Sequence, residues 1–309
     1  VRAVVSHYLA PAVTGCLPGE AAELHARMDR ALKGHPYAKA AIDIAAYDLA
    51  GAQIGVPSCR LLGGALRRRI AVAHSIGLMP FAEAEREAAA VVREGIGAIK
   101  IKVGVDADRD VEMVLRVRDT VGPTIALAID ANQGYATPAE AIRMFRRLAR
   151  ADIAYFEQPV EGIARLAEVA RAIDAPVMAD ESAWNARDVI EIAERCAAAL
   201  VSIYTTKPGG LFRAMEVAAV ARAAGLVCNV NGSVETGIGN RANIALAASA
   251  PAAGEFFTPH RRAWRCRQAS RYRQLRLRPR GASGRNSSFD VARRAHRQSC
   301  PRQTRIFRR

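Results

Sequence analysis

From Ile70 onward the chain alternates between two patterns. Short apolar runs that stop at a charged residue are followed by longer segments whose apolar positions recur every three or four residues. The runs predict strands near 70–76, 98–103, 125–130, 153–157, 176–180, 200–206, 226–231 and 255–258. The longer segments predict helices over 81–94, 106–121, 138–150, 162–173, 186–198, 211–224 and 237–249. Residues 125–129 are apolar at every position, the habit of a strand buried on both faces of a parallel sheet. Eight strands alternating with seven helices predict an α/β protein, a (β/α)7β TIM-like barrel over 70–257. An open doubly wound sheet is the alternative, but no G-x-G-x-x-G follows the first strand and there is no P-loop.

Residues 1–69 show the helical period alone. Leu24, Met28 and Leu32 share a stripe in 20–32, and Ile42, Ala46 and Leu49 do so in 37–51, where Gly51 suits a C-cap. Pro57 and the Gly63-Gly64 pair break the pattern. A partial helical segment of this size is expected to cover one end of the barrel.

The strand ends carry the chemistry. Successive runs end on Lys100 and Lys102, on Asp130, on Glu157, on Asp180 with Glu181, and on Lys207. From Lys102 the steps between them are 28, 27, 23 and 27 residues, close to the roughly 30 residues of one βαβ unit. In a barrel those ends converge on one face. Asp130, Glu157 and Asp180 read singly as caps or solvated acids. In phase on three adjacent strands they repel one another, and a hard divalent cation with oxygen ligands, Mg2+ or in its place Mn2+, would neutralise them. Asn132 lies two residues beyond Asp130 and faces the same way. Lys100 and Lys102 share a strand face, where two ammoniums are expected to lower each other's pKa and so to make a lysine base. Lys207 stands four strands further on, across the barrel. Glu235, at or past the seventh strand end, is expected beside the substrate or as an acid at a helix N-terminus. His74 reads as a core or rim residue, and His7, His25 and His35 show no ligand spacing.

Charge changes the picture only at the end of the chain. The 50 residues from His260 hold 17 of the 45 bases and one of the 30 acids, which leaves 28 bases against 29 acids before it. Residues 258–309 lack periodicity and are expected to be a disordered extension, an anion-binding arm, or the product of a shifted reading frame. Their mixture of Arg, Ala, Ser and Pro favours the last, so nucleic acid is not expected as a partner. No run of eighteen apolar residues is present and no membrane association is expected. The first residues lack the form of a signal peptide, and six scattered cysteines without metal spacing read as reduced thiols of a cytoplasmic protein.

Five segments in this order carry a family resemblance: KIKVG (100–104), DANQGY (130–135), FEQPV (156–160), ADES (179–182) and TTKPGG (205–210). With AKAAIDIAAYDLAGAQIGVPSCRLLGG (38–64), they resemble the muconate lactonizing (muconate cycloisomerase) subgroup of the enolase superfamily. The resemblance implies that 1–69 is the residual helical part of a capping domain and that the strand-rich start of that domain is missing. It also implies that the arginine tail replaces the last strand and the return to the cap. It makes Asp130, Glu157 and Asp180 the Mg2+ ligands, Lys102 and Lys207 the acid/base pair, Lys100 the residue that tunes Lys102, and Glu181 a neighbour of the ligands. The implied reaction removes a proton α to a carboxylate and passes through an enediolate, as superfamily enzymes do with a Lys or His base. A racemase or epimerase of amino-acid derivatives, or a muconate-type cycloisomerase, is expected to act on a small carboxylate substrate. A dehydratase or an inactive truncated relative is the alternative. A homo-oligomer is the expected assembly.

Overall fold

The computed structural model describes residues 1–251 and 253–257; the expectations for residues 258–309 lie outside the described residues. The chain opens with helix, α1 (Arg2–Val4) and α2 (Ala10–Val13), joined by a π-helical turn over Val5–Leu9. Pro11 lacks the N–H that an α-helix would need there, which accounts for the widened turn ahead of it. Helices α3 (Ala21–Ala31), α4 (Pro36–Gln53) and α5 (Ser58–Leu61) follow. Leu9, Leu24, Met28 and Ala38 close a small core of their own.

The alternation begins with β1 (Ala71–Val72) and β2 (His74–Ile76), two pieces of one strand broken at Ala73. There follow α6 (Phe81–Arg93), β3 (Ala98–Lys102), α7 (Ala107–Val121), β4 (Ala126–Asp130) and α8 (Pro138–Arg146). Then come β5 (Ile153–Glu157), α9 (Ile163–Ala172), β6 (Val177–Ala179), α10 (Ala186–Glu194) and β7 (Leu200–Ile203). The series ends with α11 (Leu211–Ala223), β8 (Val227–Val230), α12 (Gly237–Ser249) and β9 (Ala253–Phe257). All strands are parallel. The sheet runs β1-β9-β8-β7-β6-β5-β4-β3-β2, and because β1 and β2 are consecutive pieces of one strand, it closes on itself. This is the expected (β/α)7β barrel, with the first strand shared between its two neighbours.

Local signals place the helices. The Asp106 side chain accepts the Arg109 N–H at 2.8 Å and starts α7, which Gly122 ends at φ 74°. Thr137 caps α8 ahead of Pro138, and Asn185 with Asp188 forms a capping box on α10. Strand alternation divides the core. Leu127 and Ile129 of β4 face the helices, whereas Ala128, Tyr155, Met178 and Leu200 fill a separate inner cluster. Among the described residues no helix is long and apolar enough to cross a membrane. Cys16, Cys59 and Cys228 carry free thiols.

Two motif glycines are explained by a close approach. A Cβ on Gly134 would overlap the Gly104 carbonyl, and one on Gly104 would overlap the Ala131 carbonyl. The turns after β3 and β4 therefore lie backbone on backbone. Asp110 reinforces them by accepting the Gly104 and Val105 N–H groups at 2.7 and 3.1 Å and the Tyr135 hydroxyl at 2.9 Å. Gly134→Ala is expected to cost about 1–3 kcal/mol, the range for overpacking that forces backbone to shift. A lowered urea midpoint at unchanged slope would show it.

Candidate active site

The charged side chains gather at the C-terminal mouth of the barrel. Lys102, Asp130 and Glu157 are register partners across β3, β4 and β5, so they form one row. Asp130 and Glu157 are buried completely and Asp180 nearly so. Lys100 Nζ bridges Glu157 Oε2 at 2.9 Å and Asp130 Oδ2 at 3.0 Å. Lys102 Nζ lies 2.6 Å from Asp130 Oδ2 and donates to Asn132 Oδ1 at 2.5 Å. Lys207 Nζ donates to the Asp180 and Ser202 carbonyls, each at 2.8 Å, and to Asp180 Oδ1 at 2.7 Å. It also sits 4.7 Å from the centroid of the Tyr204 ring.

The sequence placed Asn132 and Glu181 beside this row, and the structure joins them. Asn132 Nδ2 donates to Glu181 Oε1 at 2.9 Å, and its own N–H donates to Asp130 Oδ1 at 3.0 Å. Asn132 adopts φ 43° and Gln158 φ 35°, so the chain turns sharply after two of the three acidic strand ends. Glu235 is turned to its own loop, where its carboxylate accepts the Ser233 N–H at 2.7 Å. His74 is a buried residue bonded to Glu87 at 2.5 Å, as a core or rim histidine should be.

Three polar residues here were not singled out in the sequence. Asn231, just past β8, donates to Glu157 Oε1 and to Ser202 Oγ, both at 2.8 Å. Gln158 Oε1 accepts the Asp180 N–H at 2.8 Å and so ties the ends of β5 and β6 together. Asn231 shares the phase of the charged positions, 24 residues after Lys207, but an uncharged amide gives a weaker signal than a lysine or a carboxylate.

The electrostatics are those of crowded acids. Burial, with Asp130 and Asp180 adding to it, pushes Glu157 up to about 8 against the pull of Lys100. Burial and Asp180 raise Glu181 as well. Burial opposes the charge on Asp130, but Lys100 and Lys102 outweigh it and hold that carboxyl below its usual range. The expectation that Lys100 and Lys102 lower each other's pKa needs correction at Lys100. Burial works against its charge, yet Asp130 and Glu157 on either side hold its ammonium well above the usual lysine range. Lys100 is thus a fixed positive charge between two carboxylates. Among the described residues, no three His, Cys, Asp or Glu side chains stand close enough together to enclose a metal ion. The ammoniums occupy the spaces between the acids.

Known proteins share this sequence pattern and fold. The mandelate racemase / muconate lactonizing enzyme N-terminal domain family matches residues 1–63, and the enolase C-terminal domain-like family matches residues 83–277. An N-succinyl-L-Arg/Lys racemase of Bacillus cereus is 34% identical over 247 residues, 79% of this chain and 67% of that protein. A muconate cycloisomerase 1 of Rhodococcus opacus is 33% identical over 81% of this chain and 68% of its own length. A dipeptide epimerase of Enterococcus faecalis, solved with Mg and the dipeptide L-Leu-L-Tyr, superposes with a TM-score of 0.77 at 32% identity, over 81% of this chain and 71% of its own. The chain spans about two thirds of the length of these isomerases. Two family matches that together span both the helical segment and the barrel, and relatives above 30% identity, lead to one conclusion: the chain belongs to the mandelate racemase/muconate lactonizing enzyme family of the enolase superfamily.

Proposed function

We propose that the chain is a Mg2+-dependent racemase or epimerase that moves the proton α to the carboxylate of a small N-acylated amino acid or dipeptide. One observation carries this reading. Lys102 on β3 and Lys207 after β7 stand four strands apart in an eight-stranded barrel, so they reach the mouth from opposite sides. Inverting a carbon centre needs a base on one face and an acid on the other, and two opposed lysines supply both.

The donor set fits a hard divalent cation. Asp130, Glu157 and Asp180 offer only oxygen, and Glu157 is pushed upward by burial and then by Asp130 and Asp180 beside it. Glu181 Oε2 is buried without a hydrogen-bond partner beside them. Those three carboxylates would hold Mg2+, with Asn132 and Glu181 orienting them. When bound, the cation stabilises the negative charge that grows on a substrate carboxylate as its α-proton leaves. Lys102 and Lys207 then exchange that proton at the two faces of the carbon. Lys100 lies between Asp130 and Glu157 and holds Asp130 charged. Cycloisomerisation, the activity of the Rhodococcus opacus relative, is the second reading and needs one lysine as acid.

Incubation in deuterium oxide with Mg2+ and paired L and D forms of N-succinyl-arginine and of Leu-Tyr tests the proposal. Incorporation at the α-carbon from both forms, with interconversion, is the expected result. Absence of incorporation from every form would overturn it.

A further inference from the structure

The helical segment meets the barrel at a buried polar point that the chemistry above does not use. Asp43, in α4, is completely buried. Its Oδ1 accepts the Leu211 N–H at 2.5 Å and its Oδ2 the Phe212 N–H at 3.4 Å. His25 Nε2 lies 2.8 Å from the same Oδ2, and its ring stacks on Phe212 with centroids 5.4 Å apart. Leu211 opens α11 and is preceded by Gly210, which has no side chain to cap the helix. Asp43 therefore does from 168 residues away what an N-cap residue does locally, with a charge that suits the positive end of the helix. The fit is close: a Cβ on Gly210 (φ 132°) would overlap the Asp43 carboxyl. Alongside, the buried ammonium of Lys39 holds Asp29 at 2.6 Å, and Asp29 also binds Arg213 of α11.

This clamp closes on the turn that carries Lys207. The Gly210 N–H donates to the Thr205 carbonyl at 2.7 Å, so the chain from Thr205 to Gly210 folds back on itself. The other side of the turn is pinned to α12, where Asn243 Oδ1 accepts the Thr205 N–H at 2.9 Å and its hydroxyl at 3.0 Å. Lys102, by contrast, sits on a strand and bonds to Asp130 and Asn132 within the barrel.

We infer that Asp43 is a positioning residue for Lys207: through it the helical segment fixes one of the two lysines and leaves the other alone. The inference rests on the two-lysine reading above. A lysine displaced by an ångström loses its alignment with the carbon it serves, a loss on the order of 10²-fold.

The test uses Asp43→Asn, which keeps the shape and removes the charge, and Gly210→Ala, which presses on the same contact from the other side. Deuterium incorporation is followed from each enantiomer of N-succinyl-arginine, and the enantiomer silenced by Lys207→Ala marks the Lys207 face. The expected result is a loss of about tenfold in Asp43→Asn and up to about 10²-fold in Gly210→Ala on that face alone. Competitive acetylation by acetic anhydride, read by mass spectrometry, needs no activity. Labelling of Lys207, which is 2% exposed in place, should rise in both variants while that of Lys102 stays constant. Equal loss on both faces, or unchanged Lys207 labelling in a variant that melts cooperatively, overturns the inference. If neither variant folds, Asp43 serves the fold rather than the lysine, which also overturns it. A wild-type chain without incorporation but with selective Lys207 labelling in the variants refutes the proposed activity and leaves the positioning role standing.

Discussion

Lys102→Ala and Lys207→Ala should each abolish interconversion of the enantiomers while sparing α-proton exchange in one of them. A positioned general acid or base contributes about 10²–10⁴-fold, so the silenced enantiomer should lose incorporation by that factor. The remaining lysine can still take the proton from its own face, exchange it with solvent and return it to the same face. The substrate then gains deuterium without inverting. The two variants should spare opposite enantiomers, because β3 and the turn after β7 lie across the barrel from each other. Nuclear magnetic resonance of the α-carbon signal together with chiral chromatography of the recovered substrate separates the two events. Loss of exchange from the same enantiomer in both variants would show that the lysines act in series on one face, and would favour the one-acid chemistry of a cycloisomerase. The effect on folding should differ as well. Lys207 is buried and donates to Asp180 and two backbone carbonyls, so its removal leaves several buried acceptors unpaired. Lys102 is the more exposed of the two and should be lost at smaller cost to stability.

Much of this architecture was legible because barrel strands obey a simple rule. Short apolar runs placed seven strands to within three residues, five of them ending at or next to a charge, and the steps of 23–28 residues between those charges fixed the order of the five. Lys100, Lys102, Asp130, Glu157, Asp180 and Lys207 were readable for the same reason, since one strand end after another carries one of them. The first strand reads as a single run over 70–76, yet Ala73 splits it, because its two halves pair with different neighbours. No local pattern encodes that closure. Glu235 matched the others in its spacing from Lys207, and it lies beyond β8 directly ahead of α12, the helix-N-terminal place that was one of its two expected positions, bonded to Ser233. Asp43 was hidden for a different reason. In the sequence it is a polar position on an amphipathic helix, and its partners are backbone N–H groups 168 and 169 residues away, which leave no trace in side-chain identity. Gly210 was visible as part of TTKPGG, but its reason, the space Asp43 needs, exists only in the fold.

Millimolar Mg2+ should raise the melting temperature of the wild-type chain, and Glu157→Gln should remove that rise. A ligand that binds only the native state stabilises it by about 2.7 kcal/mol at a hundred times its Kd. For a domain of 150–250 residues that corresponds to roughly 5–10 °C, at about 2–4 °C per kcal/mol. Glu157 is the informative position because burial and the adjacent Asp130 and Asp180 already push it up to about 8. Near neutral pH without metal its carboxyl is largely protonated, and a glutamine is close to the same shape and charge. The glutamine has one oxygen for two donors, Lys100 and Asn231, so its amide nitrogen faces one of them and some stability is lost without metal. Asp130→Asn should cost more. Asp130 is held ionised by Lys100 and Lys102, so the asparagine leaves a buried ammonium with one fewer counter-charge, and breaking a buried pair costs about 3–5 kcal/mol. That variant should lose the Mg2+ response and also melt lower without metal. A response that survives in both variants would place the cation away from β4 and β5. No response in the wild type would mean that the lysines, which already fill the spaces between the acids, keep the cation out until a substrate carboxylate draws them away. In that case the rise should reappear when Mg2+ and N-succinyl-arginine are added together. Its absence there too would refute the three-carboxylate site, because nothing would then link the charge crowding around Glu157 to a metal.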